Sequence, residues 1–83
     1  MTDDVVAQVR ALAVRVLAAA GDGGVLDDQD APLATAGFDS LKIVELVGEV
    51  ERHFGFEYPA DLLNQATFRS LRTVADSVRA SRG

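Results

Sequence analysis

A stripe of apolar residues near the middle of the chain largely dictates its fold class. Between Ser40 and Phe54, apolar side chains recur at i, i+3, i+4, i+7 and i+11, namely Ile43, Leu46, Val47, Val50 and Phe54. At about 100° per residue, this spacing puts all of them on one face of an α-helix. No segment of the sequence alternates between apolar and polar residues as a strand would. The chain is therefore predicted to be all-α, with this helix packed on a common core.

A helix is also predicted ahead of this one, from Asp3 to Ala20. Its apolar stripe consists of Val5, Val9, Leu12 and Val16, widened by Val6, Ala13 and Leu17. Thr2 or Asp3 can cap its start. The glycines expected to end it are Gly21, Gly23 and Gly24.

Two further helical segments are predicted after Gly55, which ends the central helix. Pro59 restarts the chain into a short segment, Ala60 to Asn64, that can form about one helical turn. The last helix is predicted from Thr67 as its cap to about Arg79. Its buried face comprises Phe68, Leu71, Val74, Ala75 and Val78.

These segments predict one domain with three main helices and one short helix, packed as a small antiparallel-type four-helix bundle. A chain of 83 residues buries only roughly 60–65% of its unfolded surface and has no room for a second active domain. We expect a single domain over residues 1–83, ordered from about residue 3 to residue 79. The tail from Ala80 to Gly83 is expected to be frayed.

The connection from residue 21 to residue 39 is long for so small a domain and has little periodicity. Four apolar residues can anchor it across the bundle: Val25, Leu26, Leu33 and Phe38. Its aspartates suggest calcium as an alternative: Asp22, Asp27, Asp28 and Asp30. The ligand order and central glycine of an EF-hand are absent, so we interpret the segment as a solvated acidic loop.

Charge and composition exclude several classes of function. The net charge is −5 and the isoelectric point is about 4.5, which disfavours nucleic acid and anionic membranes as partners and favours basic ones. The chain has no cysteine, so any thiol must come from an attached group. Its first residues are acidic where a signal peptide is basic, and no apolar run has membrane length. We expect a cytoplasmic protein.

The segment Asp39-Ser40-Leu41 marks the point where the long loop ends and the central helix begins. A serine here lies beside unpaired backbone N–H groups and the positive end of the helix dipole, which favour an attached phosphate. Ser40 is therefore a candidate acceptor of a phosphate ester. The alternative is that Asp39 or Ser40 is only an N-cap.

Leu41 falls on the side of the central helix opposite the apolar stripe, with Val44 on the flank. Beside Ser40, these two side chains are interpreted as the apolar centre of a partner-binding patch. Its other members are Glu45, Gly48 and Glu49.

Catalytic alternatives find little support in the residues. A hydrolase built on Ser40 needs a G-x-S-x-G elbow, but Phe38 and Lys42 stand where the glycines belong. The single histidine, His53, lies about 20 Å along the helix from Ser40 at 1.5 Å per residue. It is interpreted as a residue of the surface or of the last helical turn. With one histidine and no cysteine, no transition-metal site is expected.

The whole pattern resembles the acyl and peptidyl carrier protein family. The resemblance rests on Leu33, Gly37-Phe38-Asp39-Ser40-Leu41, Glu45-Leu46-Val47, Glu51, Phe54-Gly55, Tyr58-Pro59, Leu71 and Val74. It implies a bundle of the acyl-carrier type and a 4′-phosphopantetheine arm, derived from coenzyme A, on Ser40. The arm's thiol would hold an acyl or aminoacyl thioester. It also implies a non-catalytic protein that is a substrate of a phosphopantetheinyl transferase, a loading enzyme and downstream synthase enzymes; we expect a monomer.

The subclass within the family stays open. Fatty-acid carriers usually have an acidic residue at the position of Lys42 and a bulky apolar residue at that of Gly48. Peptidyl carriers typically have Gly-Gly-(His or Asp)-Ser, whereas Phe38 intervenes here. Because the chain starts at Met1 and stops soon after the last helix, we expect a free-standing carrier of a polyketide or nonribosomal-peptide-like pathway. The alternatives are a fatty-acid carrier, a domain excised from a larger enzyme, and an unmodified helical adaptor.

Overall fold

The computed structural model describes residues 4–21, 26 and 28–82. Three α-helices make up most of it: α1 spans Asp4–Ala19, α2 spans Ser40–Phe54 and α3 spans Leu71–Arg82. Two 3₁₀ turns lie in the connections, at Leu33–Ala36 and Ala60–Leu62. The predicted all-α fold with three main helices is confirmed. The short fourth helix is a single 3₁₀ turn, and the turn at Leu33–Ala36 was not predicted.

Helix α1 packs against both α2 and α3, so its apolar stripe lies at the centre of the core. The stripes predicted for α1 and α3 are buried apart from Val5, which is partly buried. Leu46 and Val50 of α2 are fully buried. Ile43, Val47 and Phe54 were expected in the same buried stripe, but they are only partly buried against its edge. Helix α2 packs chiefly against α1, and Ile43 and Val47 line an open groove instead, so this side of the apolar face is not fully covered.

The loop before α2 is anchored as the sequence predicts, with Leu26, Leu33 and Phe38 buried in the core. The Arg10 guanidinium donates a hydrogen bond from Nε to the Leu26 carbonyl over 2.8 Å. The predicted anchor Val25 lies outside the described residues. So do the helix-ending glycines Gly23 and Gly24, the loop aspartates Asp22 and Asp27, and the candidate caps Thr2 and Asp3.

Backbone hydrogen bonds also attach this loop to the start of α3. The Leu33 N–H donates to the Arg69 carbonyl over 2.7 Å, and the Arg72 N–H donates to the Gln29 carbonyl over 2.9 Å. The Arg72 side chain pairs with the Asp30 carboxylate, and this hydrogen bond lowers the pKa of Asp30. The loop therefore reaches Ser40 along a path set by contacts with α3.

The chain turns at Gly55, whose φ of 72° lies in the left-handed region that favours glycine. The Gly55 and Phe56 N–H groups both donate to the Glu51 carbonyl, over 2.9 and 3.2 Å. Tyr58 then inserts into the core, and its hydroxyl hydrogen-bonds to Ser77 Oγ over 2.7 Å. The segment after α2 is thereby attached to α3.

The start of α3 differs from the prediction. Thr67 does not cap the helix, because its N–H and hydroxyl both bond to Asn64 Oδ1, over 2.9 and 3.1 Å. Ser70 is the cap: its Oγ accepts from the Thr73 N–H over 3.2 Å, while Thr73 Oγ1 accepts from the Ser70 N–H over 3.0 Å. This reciprocal pair satisfies two backbone donors at the helix start. The helix also runs to Arg82, so the residues from Ala80 to Arg82, expected to be frayed, are helical.

Candidate functional site

Ser40 is the first residue of α2, and its side chain is exposed. A glycine turn and a buried phenylalanine precede it. Gly37 ends the first 3₁₀ turn with a φ of 102°, a left-handed conformation that favours glycine. The Phe38 N–H then donates to the Leu33 carbonyl over 3.1 Å, and the Phe38 ring is buried. With Phe38 held in the core, the chain leaves it directly into α2 and presents Ser40 at the surface.

Asp39 is the N-cap of α2; the sequence allowed either Asp39 or Ser40 in this role. Its carboxylate accepts a hydrogen bond from the Lys42 N–H over 2.9 Å. This bond, with the nearby Lys42 charge in a lesser role, lowers the pKa of Asp39. The Lys42 ammonium reaches back and donates to the Gly37 carbonyl over 3.0 Å. Capping is thus performed by Asp39, which leaves the hydroxyl of Ser40 available for another role.

The hydroxyl groups of the chain differ sharply in accessibility. Those on buried residues belong to Tyr58, Thr67, Ser70 and Ser77. Within residues 4–21, 26 and 28–82, only Ser40 and Thr35 are exposed residues with a hydroxyl. Thr35 Oγ1 donates to the Pro32 carbonyl over 2.7 Å, whereas none of the described residues hydrogen-bonds to Ser40 Oγ. In this part of the chain, Ser40 is therefore the exposed residue whose hydroxyl no described residue engages.

An open groove of about 830 Å³ begins at Ser40 and runs between α2 and the segment before α3. We call it the Ser40 groove; it is lined by Pro32, Ala34, Phe38, Asp39, Ser40, Ile43, Val44, Val47, Leu63, Asn64, Gln65, Phe68 and Arg69. Leu63 is 50% exposed on its far wall. Sequence reasoning did not include this wall, although the pair Leu62-Leu63 in a polar stretch was an available signal.

The family described as phosphopantetheine attachment site matches residues 7–78 of the chain. The chain belongs to the phosphopantetheine-binding carrier protein family. As a carrier protein of this family it is non-catalytic, and phosphopantetheine is the group for which such proteins provide the attachment site.

Two known proteins extend the comparison. The aminoacyl carrier protein of Agrobacterium fabrum (strain C58) is 36% identical to the chain over 50 residues, which are 60% of the chain and 60% of that protein. The match therefore covers less than two thirds of the curated relative. The crystal structure of Bradyrhizobium japonicum glycine:[carrier protein] ligase complexed with glycylated carrier protein contains a chain with a TM-score of 0.83 and 21% identity. That match covers 90% of our chain and 99% of the other, and shows the carrier fold.

The candidate partner residues of this carrier protein lie on the outer face of α2. Leu41, predicted opposite the core stripe, is 67% exposed, and Val44, predicted on the flank, is 66% exposed. Glu45 is exposed, whereas Gly48 and Glu49 are partly buried. The structure thus gathers these five residues on one side of the helix that Ser40 begins.

The single histidine and the features needed for metal binding or membrane insertion are considered next. His53 lies exposed in the last turn of α2, where its Nε2 hydrogen-bonds to Gln8 Oε1 over 2.8 Å. Across the part of the chain that the structure describes, no group of three or more His, Cys, Asp or Glu side chains could hold a metal ion. In the same part, no helix combines the length and apolar character that crossing a membrane requires.

Proposed function

We propose that Ser40 is the attachment point of 4′-phosphopantetheine in this carrier protein, and that the arm carries an aminoacyl group as a thioester. In the attachment step, Ser40 Oγ attacks the phosphorus next to the pantetheine portion of coenzyme A. The bond between this phosphorus and the bridging oxygen of the pyrophosphate breaks, and adenosine 3′,5′-bisphosphate leaves. The hydroxyl proton passes to a base of the transferase or to water.

The observation that carries this assignment is the combination of exposure and position at Ser40. Its hydroxyl is accessible to a transferase, and it lies at the start of a 15-residue helix whose dipole favours a phosphodiester charge. Asp39 already satisfies the Lys42 N–H, so attaching a group to Ser40 does not remove the helix cap.

The Ser40 groove fits a long, flexible and partly polar arm. Its walls combine apolar side chains such as Val47 and Phe68 with the amide groups of Asn64 and Gln65. The apolar residues suit the methylene and dimethyl portions of the arm, and the Gln65 amide can hydrogen-bond to its amides, whereas the Asn64 amide already bonds to Asp61 and Thr67. When attached, the arm supplies the thiol that the cysteine-free chain lacks.

Two observations favour an aminoacyl cargo over a fatty acyl chain. The curated relative is an aminoacyl carrier protein, and the matched solved structure contains a glycylated carrier. We therefore assign the protein to a pathway that handles carrier-bound amino acids, in the manner of nonribosomal-peptide or polyketide biosynthesis. An aminoacyl-loading ligase is the expected partner after the phosphopantetheinyl transferase.

We assign partner binding to the outer face of α2. Leu41 and Val44 supply exposed apolar contact next to Ser40, and Glu45 and Glu49 supply negative charge around them, with Gly48 between. Such a small, charged surface suits contacts that form and break in each cycle.

The attachment is tested by the mass of the intact protein after incubation with coenzyme A and a broad-specificity phosphopantetheinyl transferase. Wild type should gain the mass of one phosphopantetheine group. Ser40→Ala should remain folded, as shown by circular dichroism, and gain none. Thr35→Ala is the matched control, because it removes the other exposed hydroxyl of the described chain, and it should be modified like wild type. Modification of Ser40→Ala would refute the assignment, and an unmodified wild type would favour an adaptor that is never modified.

A further inference from the structure

A second depression lies on the opposite side of Val44 from Ser40, between α1 and α2. This α1–α2 cleft has a volume of about 500 Å³ and is lined by Arg15, Val16, Ala19, Val44, Glu45, Gly48, Glu49 and Arg52. Val44 lines both the cleft and the Ser40 groove, so it forms the ridge between them. A partner that covers Val44 therefore meets both depressions.

The charges along the cleft are only partly paired. Arg52 and Glu49 lie one helical turn apart on α2 and form an ion pair of 3.3 Å. Arg15 on α1 and Glu45 on α2 are both exposed. In the described residues, neither of them has an ion-pair partner. As far as residues 4–21, 26 and 28–82 are concerned, the cleft thus offers a cationic group on α1 and a carboxylate on α2 that are not in ion pairs.

The floor of the cleft is kept low by Gly48. A β-carbon at this position would meet Arg52 Nη1 at 3.5 Å, which is ordinary van der Waals contact. The cleft could therefore accommodate a side chain at position 48, but the helix has none there. A glycine in a helix interior costs about 1 kcal/mol relative to alanine, so its presence calls for a reason outside helix stability. An open space for a partner side chain supplies that reason.

We infer that the α1–α2 cleft is a docking surface for the aminoacyl-loading enzyme, and that α1 takes part in recognition through Arg15. The inference rests on the proposed function. The complementary segment of the partner carries a carboxylate facing Arg15, a basic group facing Glu45 and an apolar side chain over Gly48. Arg15 suits this role because the guanidinium binds carboxylates through paired hydrogen bonds. The acidic chain thus recognises its partner with a positive group as well as negative ones.

The test uses the holo-protein, prepared with coenzyme A and transferase, and the Bradyrhizobium japonicum glycine:[carrier protein] ligase as the probe. The ligase is assayed with wild type, Arg15→Lys, Arg15→Glu and Arg79→Glu. The last variant is the control, because it makes the same change in net charge on α3, where Arg79 pairs with Asp76 over 2.7 Å. Melting temperatures check that all variants are folded.

We expect Arg15→Glu to lower kcat/KM for glycine loading by about tenfold relative to wild type, mainly through a higher KM. High salt should bring the kcat/KM values of this variant and of wild type closer together. Arg15→Lys should fall between wild type and Arg15→Glu, because lysine keeps the charge but cannot make the paired hydrogen bonds of the guanidinium. Arg79→Glu should match wild type.

The role of the cleft would be overturned if Arg15→Glu and Arg79→Glu lost loading activity equally, or if neither lost any. Loading of wild type would still support the proposed function in that case. A wild-type holo-protein that is modified by the transferase but not loaded would overturn the choice of an aminoacyl-loading enzyme as the occupant. Failure of the transferase step would instead refute the attachment at Ser40.

Discussion

Two leucines on α2 allow the same chemical change to be made in the core and on the surface. Leu46 is 0% exposed and Leu41 is 67% exposed, although both belong to one helix. Leucine and alanine have similar helix propensities, so truncating either side chain alters packing and leaves the helix itself nearly unaffected. The difference between Leu46→Ala and Leu41→Ala therefore measures burial.

The cost of Leu46→Ala follows from its environment. The change removes three carbon atoms from a fully buried position, which at about 0.8 kcal/mol each is a loss of about 2.4 kcal/mol in transfer free energy. The cavity left behind adds to this, so the free energy of unfolding should fall by about 2–5 kcal/mol. Leu41→Ala should change it by less than about 0.5 kcal/mol.

Urea unfolding followed by circular dichroism provides the measurement. With an m-value of about 1 kcal/mol per M for a small domain, the midpoint of Leu46→Ala should fall by roughly 2–5 M. That of Leu41→Ala should stay within about 0.5 M of wild type. In the transferase assay, at conditions where both variants are folded, Leu41→Ala should be modified more slowly than Leu46→Ala. The reason is that Leu41 lies beside Ser40 on the proposed docking face and Leu46 does not. A clear loss of stability in Leu41→Ala would mean that this leucine is buried, and normal stability in Leu46→Ala would refute the assignment of the core.

Three further changes test individual contacts. Ser70→Ala removes the cap of α3 and should lower the free energy of unfolding by about 1 kcal/mol. Ser70→Gly, which puts no charge at this buried position and suits the cap conformation, should cost only a few tenths of a kcal/mol, and equal losses in the two variants would show that Ser70 does not act as a cap. Gly55→Ala forces a β-carbon into a left-handed conformation and should cost about 1–2 kcal/mol in urea unfolding, and a neutral result would contradict the φ of 72°. Burial raises the pKa of Tyr58, so its contribution to stability is present below the unfolded value of about 10 and is lost as pH rises from there through the folded value. Tyr58→Phe loses the hydrogen bond to Ser77 and should also remove this part of the fall in unfolding free energy at alkaline pH. If the unfolding free energy of the variant falls between about pH 9 and pH 11 as steeply as that of wild type, Tyr58 is not responsible.

The start of α2 was predictable because its determinants lie within a few residues of one another. Asp39 can bond to the Lys42 N–H through local geometry alone, and the apolar spacing from Ile43 to Val50 orients the helix whatever its neighbours are. The exposure of Leu41 followed from its position on the side of the helix opposite this apolar spacing. These interactions span less than four turns of one helix, so the order of residues suffices to define them.

The start of α3 and the walls of both depressions were not predictable in the same way. Thr67 and Ser70 are both acceptable caps by residue type, and the choice depends on Asn64, which engages Thr67 in a turn, and on the packing of Phe68. The Ser40 groove exists because hydrogen bonds such as that from the Leu33 N–H to the Arg69 carbonyl hold segments far apart in the chain against each other. Likewise, Arg15 meets the α2 patch only because α1 packs against α2. Periodicity describes which face of a helix is apolar, but it does not say which other helix covers that face. The identity of Ser40 as a candidate could therefore be read from local sequence, whereas the surfaces around it arise from long-range packing.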